Sequence, residues 1–207
     1  MKVAAGAARL LAAGSLAWMG VQMLRVWRSP GDWDGGQAVE HCVTVMVAEF
    51  FLVHAGMMAF GLSLLRGRGM RFLALAVLLL FSVGAGGLLL YAREEGNSAF
   101  LQGYAFVLVT RYLSAFLAAE RPEGPGDHDL QMWAAARSAL HVALYLAAVA
   151  STVFVSYPTG AVTGGEPTGT GLWEQHPERV VGAATVYFFI QAGVELIWGW
   201  RPRRKRA

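Results

Sequence analysis

The sequence predicts an all-α, polytopic membrane helix bundle of about six transmembrane helices with both termini in the cytoplasm. Three observations carry that expectation. The 207 residues are 56% apolar and only 15% charged, with a mean hydropathy of +0.44, whereas an ordinary soluble domain is roughly 45–50% apolar and about 25% charged. Apolar runs long enough to cross a lipid core, which takes about 20 residues at helical rise, recur along the chain. The basic residues are bunched beside those runs, as in proteins that orient themselves by positive charge. A disordered tail, a disulfide-stapled secreted module and a soluble globular enzyme are excluded on these grounds.

The runs place spans at about 3–24, 38–65, 70–92, 97–119, 130–156 and 178–200 within a single transmembrane domain. The first is Ala-rich and follows Met1 and Lys2, so a cleavable leader is the alternative; the thin basic start, Arg9 inside the run and its length favour an uncleaved helix. The breaks carry turn chemistry: Ser29-Pro30-Gly31, Gly67-Arg68-Gly69, Glu94-Glu95-Gly96-Asn97 and Pro122 to Gly126. The stretch 157–177, rich in Gly, Thr and Pro, reads as an exposed extracytoplasmic loop. Runs this long and this uniformly apolar do not suit barrel strands, which leaves helices as the spanning elements.

Charge sets the orientation. With six spans, one side carries Lys2, Arg66, Arg68, Arg71, Arg121 and the five basic residues of the tail 201–207. The other carries Arg25, Arg28, Arg93 and Arg179 among several acids. The excess points to a cytoplasmic (inner) membrane protein with both ends inside. The lipid bilayer is thus the first partner, and the basic tail is suited to anionic lipid headgroups. No basic stripe with interleaved aromatics occurs, so nucleic acid is not expected as a partner.

Ionisable side chains at membrane depth are costly and turn toward the bundle interior. Here they are Glu49 and His54 in the second span, Arg111 in the fourth, Arg137 and His141 in the fifth, and Glu195 with the polar Gln191 in the sixth. Arg137 and Glu195 fall at matching depth, which predicts an ion pair between them, with Arg111 and Glu49 nearby. Arg137 and His141 share a face at i, i+4, as do Tyr187, Gln191 and Glu195 at i, i+4, i+8. Tyr104, Arg111 and Ser114 line one side of the fourth span. Glu49 and His54, five apart, point about 140° from each other and serve different partners. Ladders of small residues, Ala139-Ala143-Ala147 and Ala55-Ala59-Ser63, are expected to mark packed helix interfaces.

Three functions fit this core: a conduit for a proton, an ion or a small polar solute; a structural or assembly subunit whose polar groups only fix packing; and a haem b carrier with His54 and His141 as axial ligands. The first is the main expectation, with no cofactor. The absences are informative. The only lysines are Lys2 and Lys205, so no lysine nucleophile sits inside the bundle. No His-Glu-x-x-His, nucleophile elbow or phosphate loop occurs, and the single Cys42 forms no intrachain disulfide. Neither a catalytic residue nor a metal site is expected.

Overall fold

The computed structural model describes residues 2–29, 38–64, 68–95, 99–118, 128–154 and 175–199, and all its regular elements there are helices. In chain order they are α1 (Lys2–Arg28), α2 (Ala38–Leu64), α3 (Arg68–Glu95), α4 (Ala99–Ala118), α5 (His128–Phe154) and α6 (Pro177–Gly199). The expected loop is outside the described residues apart from its last few positions, and the basic tail 201–207 lies wholly outside them.

Helix ends follow local chemistry. Ser29 N–H donates to Arg25 O at 2.9 Å at the end of α1, and Arg25 and Arg28 complement the negative end of the helix dipole. Pro30 comes next in sequence, and a proline disfavours helical backbone in the residue before it. Helix α6 opens on Pro177, whose missing N–H costs nothing at a first helical position, with Glu178 in the favourable first turn. Two expected turns are corrected: Arg68 and Gly69 belong to the start of α3, and Glu94 and Glu95 to its end. A glycine in a helix costs only about 1 kcal/mol relative to alanine, which the long apolar run behind it offsets.

Helix α1 packs most extensively against α6 and next against α4; α2 packs against α3, α5 and α6; α5 packs against α6. Small residues allow the α1 contacts. Ala8, Ala12 and Ala13 of α1 and Ala183, Ala184 and Ala192 of α6 are buried, and a Cβ on Gly20 would lie 3.2 Å from the Phe189 ring. A Cβ on Gly103 of α4 would collide with the indole of Trp18. Between the same two helices the Ser15 and Thr110 hydroxyls share a hydrogen bond of 2.7 Å. Interhelical bonds of this kind contribute about 0.6 kcal/mol on average in a membrane protein.

The surface differs from that of a water-soluble fold, and the largely apolar core encloses a few polar groups. Glu49 and Gln191 are 0% exposed, while Phe154 is 84%, Phe72 74% and Ile197 74% exposed. Water would penalise such a surface, whereas hydrocarbon solvates it. Among the described residues, three helices are long and apolar enough to cross a membrane, over Gly6–Arg28, Ala38–Ala55 and Glu178–Ile197; a shorter apolar stretch spans Ala139–Phe154. The apolar helices mark the chain as a membrane protein.

One expectation about packing is overturned. Ala139, Ala143 and Ala147 are exposed, so this ladder faces outward and marks no packed interface. Helix α5 instead turns Val142 and Tyr145 inward, along the face that also bears Arg137 and His141. Of the second ladder Ala55 is buried, and the side chains of Ala59 and Ser63 are outside those described.

Candidate functional site

The site grows from the buried stripe of α2. Cys42, Val45, Met46, Glu49 and Val53 recur at helical spacing and are buried together, so the same periodicity that makes an apolar face carries a carboxylate to the bundle centre. Helix α4 answers with Leu101, Tyr104, Val107 and Thr110 inward, and Tyr104 and Arg111, seven residues apart, lie two turns apart on one side. Glu49 falls between them. The Tyr104 hydroxyl donates to Glu49 Oε2 at 2.6 Å. Arg111 Nη1 donates to Glu49 Oε1 in an ion pair, and the Tyr187 hydroxyl of α6 donates to the same oxygen at 2.7 Å. Three donors from two helices therefore hold one carboxylate that water does not reach. A bare buried charge would cost several kcal/mol; a paired and hydrogen-bonded one is sustainable.

A second ion pair lies toward the other end of α6. Arg137 Nη2 of α5 donates to Glu195 Oε1, the contact expected from matched depth. Arg137 is 24% and Glu195 5% exposed, so this pair sits nearer the surface of the bundle than the carboxylate's oxygen-lined centre.

The two pairs belong to one pattern. On α5, Arg137, His141 and Tyr145 follow at i, i+4, i+8; on the antiparallel α6, Glu195, Gln191 and Tyr187 descend in step. Arg137 meets Glu195, and the Tyr145 and Tyr187 rings meet edge to face with centroids 5.8 Å apart. The register therefore sets His141 level with Gln191. Tyr145 also donates from its hydroxyl to Met46 O of α2 at 2.9 Å. Sequence reasoning missed Tyr145, although its spacing from Arg137 and His141 places it on their face.

Between the ion pairs the hydrogen bonding is incomplete. Gln191 is fully buried, yet neither its Oε1 nor its Nε2 has a hydrogen-bond partner, and His141 Nε2 is buried without one as well. His141 lies within electrostatic reach of Arg111, Arg137, Glu195 and Glu49 alike.

His54 stands apart from this group. Its Nδ1–H donates to Phe50 O, one turn earlier on α2, at 2.7 Å. Its ring packs on Phe50 with centroids 4.1 Å apart and edge-on to Tyr145 at 6.2 Å. The structure thus brings together Glu49 with Arg111, and Arg137 with Glu195, sets His141 and Gln191 between them, and leaves His54 in an aromatic setting. The Ser114 side chain is outside those described. Among the described residues no group of three or more His, Cys, Asp or Glu side chains gathers to hold a metal ion.

Compared with known proteins, the chain matches no family model, no curated protein and no solved structure.

Proposed function

We propose that all six helices cross the cytoplasmic membrane with both termini inside, and that α2, α4, α5 and α6 form a conduit for a proton, an ion or a small polar solute. The observation that carries this reading is the line of polar side chains between those helices, from Tyr104 and Glu49 through His141 and Gln191 to Arg137 and Glu195. Intramembrane ionisable groups are expensive, and ion pathways and proton relays are among their established uses. Unsatisfied groups in the middle of that line support a pathway over a sealed core. The basic tail engages anionic headgroups on the cytoplasmic face.

The test is flux in proteoliposomes. Purified protein dissipates an imposed proton or ion gradient, and Glu49→Gln or Glu195→Gln slows it while expression and folding persist. A second reading, an assembly subunit, draws on the saturation of Glu49 by three donors. It is the correct one if the wild-type protein is inert in vesicles and those variants lower only thermal stability.

A further inference from the structure

The gap between the two ion pairs has a chemistry of its own. Gln191 offers a carbonyl oxygen and an amide, and His141 a ring nitrogen, at the same level of α5 and α6, all buried and all without partners. Leaving such groups dry is unfavourable, and buried polar groups in this situation are generally completed by internal water. Above them stand Tyr187 and Tyr145, the former already donating to Glu49; below them stand Arg137 and Glu195. Both carboxylates are engaged by arginines, so neither is left as a bare ligand for a dehydrated metal cation. What fits between a carboxamide and an imidazole is a small neutral molecule that both donates and accepts.

We infer that His141 and Gln191 hold a short file of water molecules linking the Arg137–Glu195 pair to the Glu49 cluster, and that the species passing through the core is a proton. This deepens the conduit reading and rests on it for the moving species; the water file itself does not. The file is continuous in hydrogen bonding, since each water accepts from one neighbour and donates to the next. Gln191 Oε1 is the one buried unpartnered side-chain oxygen among the described residues, too few to replace the shell of a sodium or potassium ion.

The test uses the full chain in lipid bilayers. In water-edited solid-state NMR of protein labelled with 15N-glutamine, the Gln191 side-chain amide, identified by its loss in Gln191→Asn, is expected to receive magnetisation from water as strongly as exposed glutamines do. A side-chain amide as dry as the labelled backbone amide of Gln191 itself overturns the inference. In proteoliposomes, Gln191→Met is expected to reduce proton flux to that of protein-free vesicles, while Gln191→Asn retains it and sodium flux is absent throughout. Wild-type flux in a folded Gln191→Met protein overturns the inference and leaves the conduit reading standing. A hydrated Gln191 in a protein that passes no protons overturns the proton as the moving species and leaves the water file in place. If Gln191→Met fails to fold, the NMR measurement on the unaltered protein decides the hydration.

Discussion

Glu49→Ala is the perturbation with the largest expected consequence. It strips the common acceptor from the Tyr104 hydroxyl, the Tyr187 hydroxyl and the Arg111 guanidinium, and leaves a cation in a site where Arg111 is only 19% exposed. Two magnitudes bound the loss. Three interhelical hydrogen bonds at the membrane-protein average of about 0.6 kcal/mol give roughly 2 kcal/mol. Breaking a buried ion pair by removing one partner costs about 3–5 kcal/mol, because the remaining charge is uncompensated. The second effect dominates, so Glu49→Ala is expected to destabilise by about 3–5 kcal/mol, and Tyr104→Phe or Tyr187→Phe each by roughly 0.6–1.7 kcal/mol. The assay is reversible unfolding in mixed micelles, with a double-mutant cycle pairing Glu49→Ala with Arg111→Ala. A coupling above about 0.5 kcal/mol marks direct interaction; additivity within that margin would refute the claim that this carboxylate is held by that arginine.

The remaining predictions concern the other features of the bundle. Arg137→Ala and Glu195→Ala each destabilise by up to about 3 kcal/mol, less than the Glu49 change because the pair is more exposed, and the double variant costs less than the sum; equal and additive losses would count against contact. Cys42, fully buried in α2, stays unreactive toward a membrane-permeant maleimide in the folded protein and reacts on unfolding; rapid labelling of the native state would contradict the packing of α2. In a Cys42→Ser background, single cysteines placed at Arg203 and Thr170 are labelled from the cytoplasmic and external sides respectively, and the reverse pattern would invert the orientation. Protein purified from haem-replete cells shows no Soret band. A band lost in His54→Ala or His141→Ala would replace the conduit with the electron-carrier reading.

Some of this architecture is legible in the residues and some is not. The Arg137–Glu195 contact is readable because depth along a helix is a matter of counting at about 1.5 Å per residue, and a cation and an anion at one depth have strong reason to meet. The same counting gathers Glu49 and Arg111 but does not pair them, since which of several neighbours a side chain meets depends on helix rotation. Tyr145 escapes notice because a tyrosine in an apolar run is as readily an interfacial anchor; only its i+4 relation to His141 speaks for the interior. The alanine ladder misleads for a related reason: alanine permits close helix approach without requiring it, and lipid accepts it equally well. The packing of α1 on α6 and α4 is invisible because its small and apolar residues surround it without a clear polar face, so no direction of burial is written into it. Helix ends are extended by charged residues, as at Arg25 to Arg28 and at Glu94 and Glu95, because charge at a terminus halts burial rather than backbone hydrogen bonding.

The helix nearest the carboxyl end supplies more than its share of this interior: Tyr187 for Glu49, Glu195 for Arg137, and the surface on which α1 lies. During synthesis, Arg137 emerges from the ribosome fifty-eight residues before its counter-ion. With α5 crossing the bilayer as proposed, that guanidinium shelters at a water-filled insertion machine or at the lipid headgroups until α6 follows. The polar interior is therefore completed late, and a ribosome stalled before Glu195 leaves a nascent chain with an orphaned cation.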